Sequence, residues 1–164
     1  MSKIRVAGAQ LPCSNNLDKN IADIKDAIAW ASKNKVDYLL TPEGSLSGYF
    51  PDFDTRSGRS IQDLYAAEND VVQHATKHQV GLCLGTMWGE KDNKFVEGYR
   101  RENQIRFYSK AGEFLGNTNK TLTIPEYDQT VISEDIKLID IETNGNIFSA
   151  SGLICNDFWG GPLS

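Results

Sequence analysis

The chain has 164 residues, of which 40% are hydrophobic and 24% charged, and it carries a formal net charge of −5. That length and composition suit one soluble globular domain with a sizeable core. Basic residues cluster only at Lys3–Arg5 and Arg100–Arg101, too sparse for a nucleic acid partner or a polybasic membrane anchor.

No apolar run approaches the ~20 residues needed to span a bilayer. The segment Met1–Val6 enters a strand-like pattern directly, without a signal-peptide core, so the expected location is cytoplasmic. The three cysteines, Cys13, Cys83 and Cys155, are widely spaced and form no Cys-x-x-Cys pair. This excludes a zinc ribbon or a thioredoxin-type motif and fits reduced thiols.

In chain order, Ile4 to Gln10 reads as a strand. The cap-rich stretch Ser14–Asn20 opens a helix from about Leu17 to Asn34, with Ile21, Ile24, Ile28 and Ala31 as its apolar stripe. Val36 to Thr41 is a short strand closed by Pro42. This β-α-β unit implies parallel pairing with a right-handed crossover. Residues 50–60 read as loop, Ile61 to Lys77 as a second helix, and Val80 to Trp88 as an apolar strand. Two hairpins follow. Tyr99–Ser109 with Glu113–Thr118 turns at Ala111-Gly112, and Lys137–Glu142 with Asn146–Cys155 turns at Asn144-Gly145. The expected fold class is α/β, a mixed sheet with helices packed on it.

Three reactive side chains fall at strand ends: Glu43, Lys120 and Cys155. Sites in α/β sheets form outside the carboxyl ends of strands, so the three can share one cleft. A thiol is a strong nucleophile once deprotonated, and a nearby carboxylate can take its proton. Attack on an amide or nitrile builds negative charge, which a fixed ammonium and a backbone N–H, such as that of Asn156, can stabilise. Each residue alone has a plainer reading: a cysteine on an apolar strand is usually core, and a Glu or Lys in a turn is usually solvated. Cys83 and Cys13 read as inert core. His74 and His78 lack the intervening glutamate of a His-Glu-x-x-His site and read as solvated helix face. Trp30, Trp88 and Trp159 read as core or pocket wall.

Four segments together carry a family resemblance. Ala7-Gly8-Ala9-Gln10-Leu11-Pro12 resembles the first strand of nitrilase-superfamily carbon–nitrogen hydrolases. Tyr38 to Tyr49, containing Pro42-Glu43-Gly44, is similar to the segment with that family's catalytic glutamate. Asn119-Lys120-Thr121-Leu122 resembles the catalytic-lysine segment, and Gly152-Leu153-Ile154-Cys155-Asn156-Asp157 the nucleophile segment. The resemblance implies an α-β-β-α sandwich and a Glu43–Lys120–Cys155 triad. The implied reaction is hydrolysis of a non-peptide C–N bond in an amide, nitrile or N-carbamoyl compound, through a covalent cysteine intermediate. It implies no metal or organic cofactor, and homo-oligomers of the full-length form.

The pattern departs from the family in three ways. Phe158-Trp159-Gly160-Gly161-Pro162 replaces the usual Arg and aromatic-Pro-Glu stretch after the nucleophile. Glu126, the nearest candidate for a second glutamate, stands close to Lys120. The chain also resembles only the N-terminal part of such a domain, with the C-terminal portion missing, which predicts little activity for this chain by itself. The competing reading is a non-catalytic remnant or partner-binding subunit of the same fold.

Overall fold

The computed structural model describes residues 3–48, 60–91, 99–122 and 137–159. The elements among them are β1 (Val6–Gly8), α1 (Leu17–Lys33), β2 (Tyr38–Leu40), α2 (Ile61–Lys77), β3 (Gly81–Lys91), β4 (Tyr99–Tyr108), β5 (Phe114–Asn119), β6 (Ile139–Thr143), β7 (Asn146–Ala150) and α3 (Asn156–Trp159). The loop expected over residues 50–60 falls, except for Ser60, outside the described residues.

Helix α1 starts where the Asn16 side chain accepts the Lys19 N–H at 3.1 Å. Asp18 in its first turn complements the positive end of the helix. Its buried face is Asn20, Ile24, Ile28 and Ala31. The stripe is therefore rotated from the one expected: Asn20 lies inside and Ile21 only packs at the margin. Asn20 can be buried because its amide is fully used. It donates to Ser14 O at 2.8 Å and Leu46 O at 2.9 Å, and accepts from Ser14 Oγ at 2.8 Å. Helix α2 has the expected bounds, set by a Ser60–Asp63 capping box.

The first sheet has the order β1-β2-β3-β4-β5. β1, β2 and β3 pair in parallel, while β3–β4 and β4–β5 are antiparallel, so the sheet is mixed as expected. The second hairpin does not extend this sheet but forms its own, β6-β7. Asn144 (φ 53) and Gly145 (φ 70) turn it, the positive-φ pair that a tight hairpin requires.

Two cores separate the layers. α1 and α2 pack Ile24, Ile28, Leu64 and Val71 against Leu39, Leu82 and Leu84 on one face of the first sheet. The other face packs Tyr38, Cys83, Ile105 and Phe107 against Ile139 and Ile141 of the second sheet and Ile154. Each such side chain, once fully buried, contributes roughly 1.5–3 kcal/mol.

Strand β4 shows how alternation assigns residues to layers. Ile105 and Phe107 face the second sheet, in company with Asn103. Gln104, Arg106 and Tyr108 turn to the helices, where Arg106 Nε pairs with Glu68 Oε1 at 2.5 Å. The Arg106 guanidinium also lies 3.8 Å from the centroid of the Trp88 ring.

A buried carboxylate joins the layers at the amino end of β2. Asp37 accepts from Arg5 N (2.9 Å), Lys110 Nζ (2.6 Å) and Thr143 Oγ1 (2.9 Å), linking β1, the β4–β5 turn and β6. Burial pushes its pKa up, but these donors outweigh burial and hold it lowered to about 2.

Candidate active site

Because β5 reverses β4 and β4 reverses β3, β2 and β5 run in the same direction and end at one rim of the sheet. Glu43 follows β2 and Lys120 follows β5 at that rim.

The turn carrying Glu43 is fixed by a run of hydroxyls that carries the β2–β3 pairing past the end of β2. Thr41 N donates to Cys83 O (3.0 Å), Gly85 N to Thr41 Oγ1 (3.0 Å), Ser45 Oγ to Gly85 O (2.9 Å), and Met87 N to Ser47 Oγ (2.8 Å). Gly44 takes φ 63 to close the turn, and Leu46 is wholly buried beneath it. β3 therefore holds Glu43 in place.

Lys120 Nζ donates to Glu43 Oε1 at 3.2 Å, and the lysine side chain is only 4% exposed. Asn103 Nδ2 donates to the same oxygen at 2.6 Å. Both donors reach Oε1, and among the described residues no hydrogen bond reaches Oε2. Sequence reading missed Asn103. The signal was present, since Asn103 is the polar member of the inward-facing set that includes Ile105 and Phe107.

Cys155 does not end a strand as expected. β7 stops at Ala150, and Cys155 lies five residues further on, in the turn that enters α3. Its φ is 50, in the left-handed region that few non-glycine residues occupy. The residue is exposed, so the thiol is not sealed in the core. Its Sγ lies 3.9 Å from Asn156 Oδ1, a loose contact. The thiol makes no direct hydrogen bond to Glu43 or Lys120 among the described residues.

The link between that turn and the lysine is Asp157, which sequence reading also missed. Its Oδ1 accepts from Thr121 N (2.9 Å), Thr121 Oγ1 (2.9 Å) and Leu122 N (2.7 Å), and its Oδ2 accepts from Ile154 N (3.1 Å). The residues on either side of Cys155 are thereby fastened to the chain just after Lys120. Asn156, the first residue of α3, is half-buried beside the thiol. Glu126 lies outside the described residues.

The other cysteines differ from one another. Cys83 is buried, and burial pushes its thiol up to about 12, as fits inert core. Cys13 is not core: it is half-exposed, and its thiol donates to Glu43 O at 3.1 Å. His74 and His78 are both partly exposed; their ring centroids lie 4.5 Å apart, and partial burial lowers the His74 pKa. Trp88 packs as expected against Tyr65, whereas Trp30 is 55% exposed. The side chain of Trp159 is outside the described residues. Among the described residues no group of three or more His, Cys, Asp or Glu could hold a metal ion, and no helix is long and apolar enough to cross a membrane.

A helix layer on two packed sheets, with polar side chains gathered at one rim, defines an α/β protein of the nitrilase-like sandwich type. The family model described as carbon-nitrogen hydrolase matches residues 5–159, and the chain belongs to that family. No match was found among curated protein sequences.

Solved structures of similar fold include the NitN amidase from Nesterenkonia sp. AN1, at 25% identity and a TM-score of 0.67. That alignment covers 90% of this chain and 56% of the amidase. A cysteine-to-alanine mutant of the AN1 amidase, described as belonging to the nitrilase superfamily, matches at 25% identity and TM-score 0.67, covering 89% and 54%. A cysteine-to-alanine mutant in complex with butyramide matches with the same values. The chain thus spans about half the length of these structures.

Proposed function

We propose that the protein is a thiol-dependent hydrolase of small amides, with Cys155 as nucleophile, Glu43 as general base and Lys120 as charge stabiliser. Glu43 Oε2, the oxygen left open by Asn103 and Lys120, takes the thiol proton. The thiolate attacks the amide carbon, and the charge that develops on its oxygen is met by the Lys120 ammonium and the Asn156 N–H. Collapse expels the amine, protonated by Glu43, and leaves a thioester. Water, deprotonated by Glu43, then cleaves the thioester and restores the thiol.

The observation that carries this reading is the nearly buried Lys120–Glu43 pair at 3.2 Å, coupled through Asp157 to an exposed cysteine in a strained turn. Burial strengthens the pair's field, while exposure leaves the sulfur open to substrate. Amides are preferred over nitriles and N-carbamoyl compounds because the similar structures are of an amidase, one of them in complex with butyramide. Glu126 is the candidate for a second carboxylate beside Lys120. The same reading takes the full-length protein as a cytoplasmic homo-oligomer.

The test is ammonia release by the full-length protein from a panel of short aliphatic amides, nitriles and carbamoyl amino acids. Wild type should hydrolyse amides, and Cys155→Ala should abolish turnover while leaving the thermal melt intact. Undiminished turnover in C155A would remove Cys155 from the mechanism.

A further inference from the structure

We infer that Asn103 is the positioning residue for the general base, an assignment that rests on the hydrolase reading above. Three observations carry it.

The first is how the residue is held. Asn103 is 1% exposed and sits in the middle strand of a three-strand stretch, paired to Met87 of β3 on one side. On the other side its carbonyl accepts the Lys120 N–H at 2.8 Å. One residue therefore grips both members of the pair, the lysine through its backbone and Glu43 through its side chain at 2.6 Å.

The second is which end of its amide is used. Nδ2 donates to Glu43, while among the described residues the buried Oδ1 has no hydrogen-bond partner. The orientation is chemically required, since Oδ1 turned toward a carboxylate would repel it.

The third is the resulting division of labour on Glu43. With Asn103 and Lys120 both on Oε1, the lone pairs of Oε2 remain for proton transfer. Loss of the Asn103 donor frees the carboxylate to rotate and removes a hydrogen bond made to its charged form.

The experiment uses Asn103→Leu, which removes the donor while keeping the branched shape, and Asn103→Asp, which keeps the shape and places a second acid beside Glu43. Two readouts are taken in the full-length protein: kcat and KM for amide hydrolysis against pH, and the rate of Cys155 alkylation by iodoacetamide, with C155A as the blank. N103L should lower kcat roughly tenfold to a hundredfold with KM little changed, and slow alkylation in parallel. In both variants the acidic limb of kcat/KM should move to higher pH, further in N103D because like charges resist ionisation together.

A merely structural role would lower the melting temperature without moving the limb. Should N103L fail to fold, N103D carries the test alone. Wild-type pH profiles and alkylation rates in folded N103L or N103D overturn the assignment. If wild type hydrolyses none of the compounds yet alkylation still slows in the variants, the hydrolase reading fails and the positioning of Glu43 by Asn103 stands.

Discussion

Asp157 and Thr121 form the clasp between the two ends of the site. One carboxylate oxygen of Asp157 receives both the N–H and the hydroxyl of Thr121 at 2.9 Å. Cys155 thereby keeps its station relative to Lys120 although neither strand β6 nor β7 reaches it. Asp157→Ala should leave four donors without their acceptor. We expect a loss on the order of 1–3 kcal/mol in urea unfolding, together with a fall in hydrolysis larger than the stability change explains. Retained activity in a destabilised D157A would reduce the clasp to a fold element.

Gly85 offers a second route to Glu43. A Cβ built at Gly85 would lie 1.9 Å from Pro42 O and 3.1 Å from Glu43 Cα, both backbone atoms. Gly85→Ala must therefore shift the turn that carries Glu43. Since misplacement by about an ångström can cost on the order of a hundredfold, activity should drop by roughly tenfold or more. Gly8→Ala is the control, because nothing lies within 4 Å of its Cβ. Equal activities for the two variants would show that the turn tolerates displacement.

Asp37 predicts an acid limb in stability. Its pKa is lowered from 3.8 to about 2 in the folded chain. The stabilisation is fully present above pH ~4 and is lost as pH falls through 2, reaching on the order of 2 kcal/mol. Urea midpoints measured from pH 6 to pH 2 should decline for wild type and more shallowly for Asp37→Asn. Parallel slopes would place the acid sensitivity in other carboxylates.

Thiol labelling should sort the cysteines by environment. Cys155 is exposed, Cys13 intermediate and Cys83 buried with its thiol pushed up to about 12. In native protein at neutral pH, peptide mapping after iodoacetamide treatment should find Cys155 modified first and Cys83 protected until unfolding. Early modification of Cys83 would mean that the core between the sheets opens readily.

Much of the frame was legible in the sequence because local periodicity and caps dictate it. The bounds of α2 follow from the Ser60–Asp63 box, and the Asn144-Gly145 turn follows from the need for two positive φ values. The meeting of Glu43 and Lys120 was also legible, since each follows a strand that ends at the same rim. The end of β7 was not: Ser151, Gly152, Leu153 and Ile154 continue a strand-like pattern, but Gly152 packs against Thr118 and Ile105, a contact that no local pattern encodes. Asn20 and Asn103 were missed because a buried amide is justified only by partners distant in the chain. Asp157 was missed for the same reason, its partners being 35 and 36 residues away.

The two-faced character of β4 restricts how this protein can evolve. Glu102, Gln104 and Arg106 make one polar chain, with Gln104 Nε2 donating to Glu102 Oε2 at 2.5 Å and Arg106 donating to Gln104 Oε1 at 2.8 Å, while Asn103 serves the other side. A point replacement in this strand leaves the facing of the remaining side chains unchanged. Inserting or deleting a single residue there would exchange the two sets of side chains, sending a guanidinium between the sheets and carrying the Asn103 amide away from Glu43. Sequence drift in this strand should therefore proceed by substitution, with length changes confined to its ends.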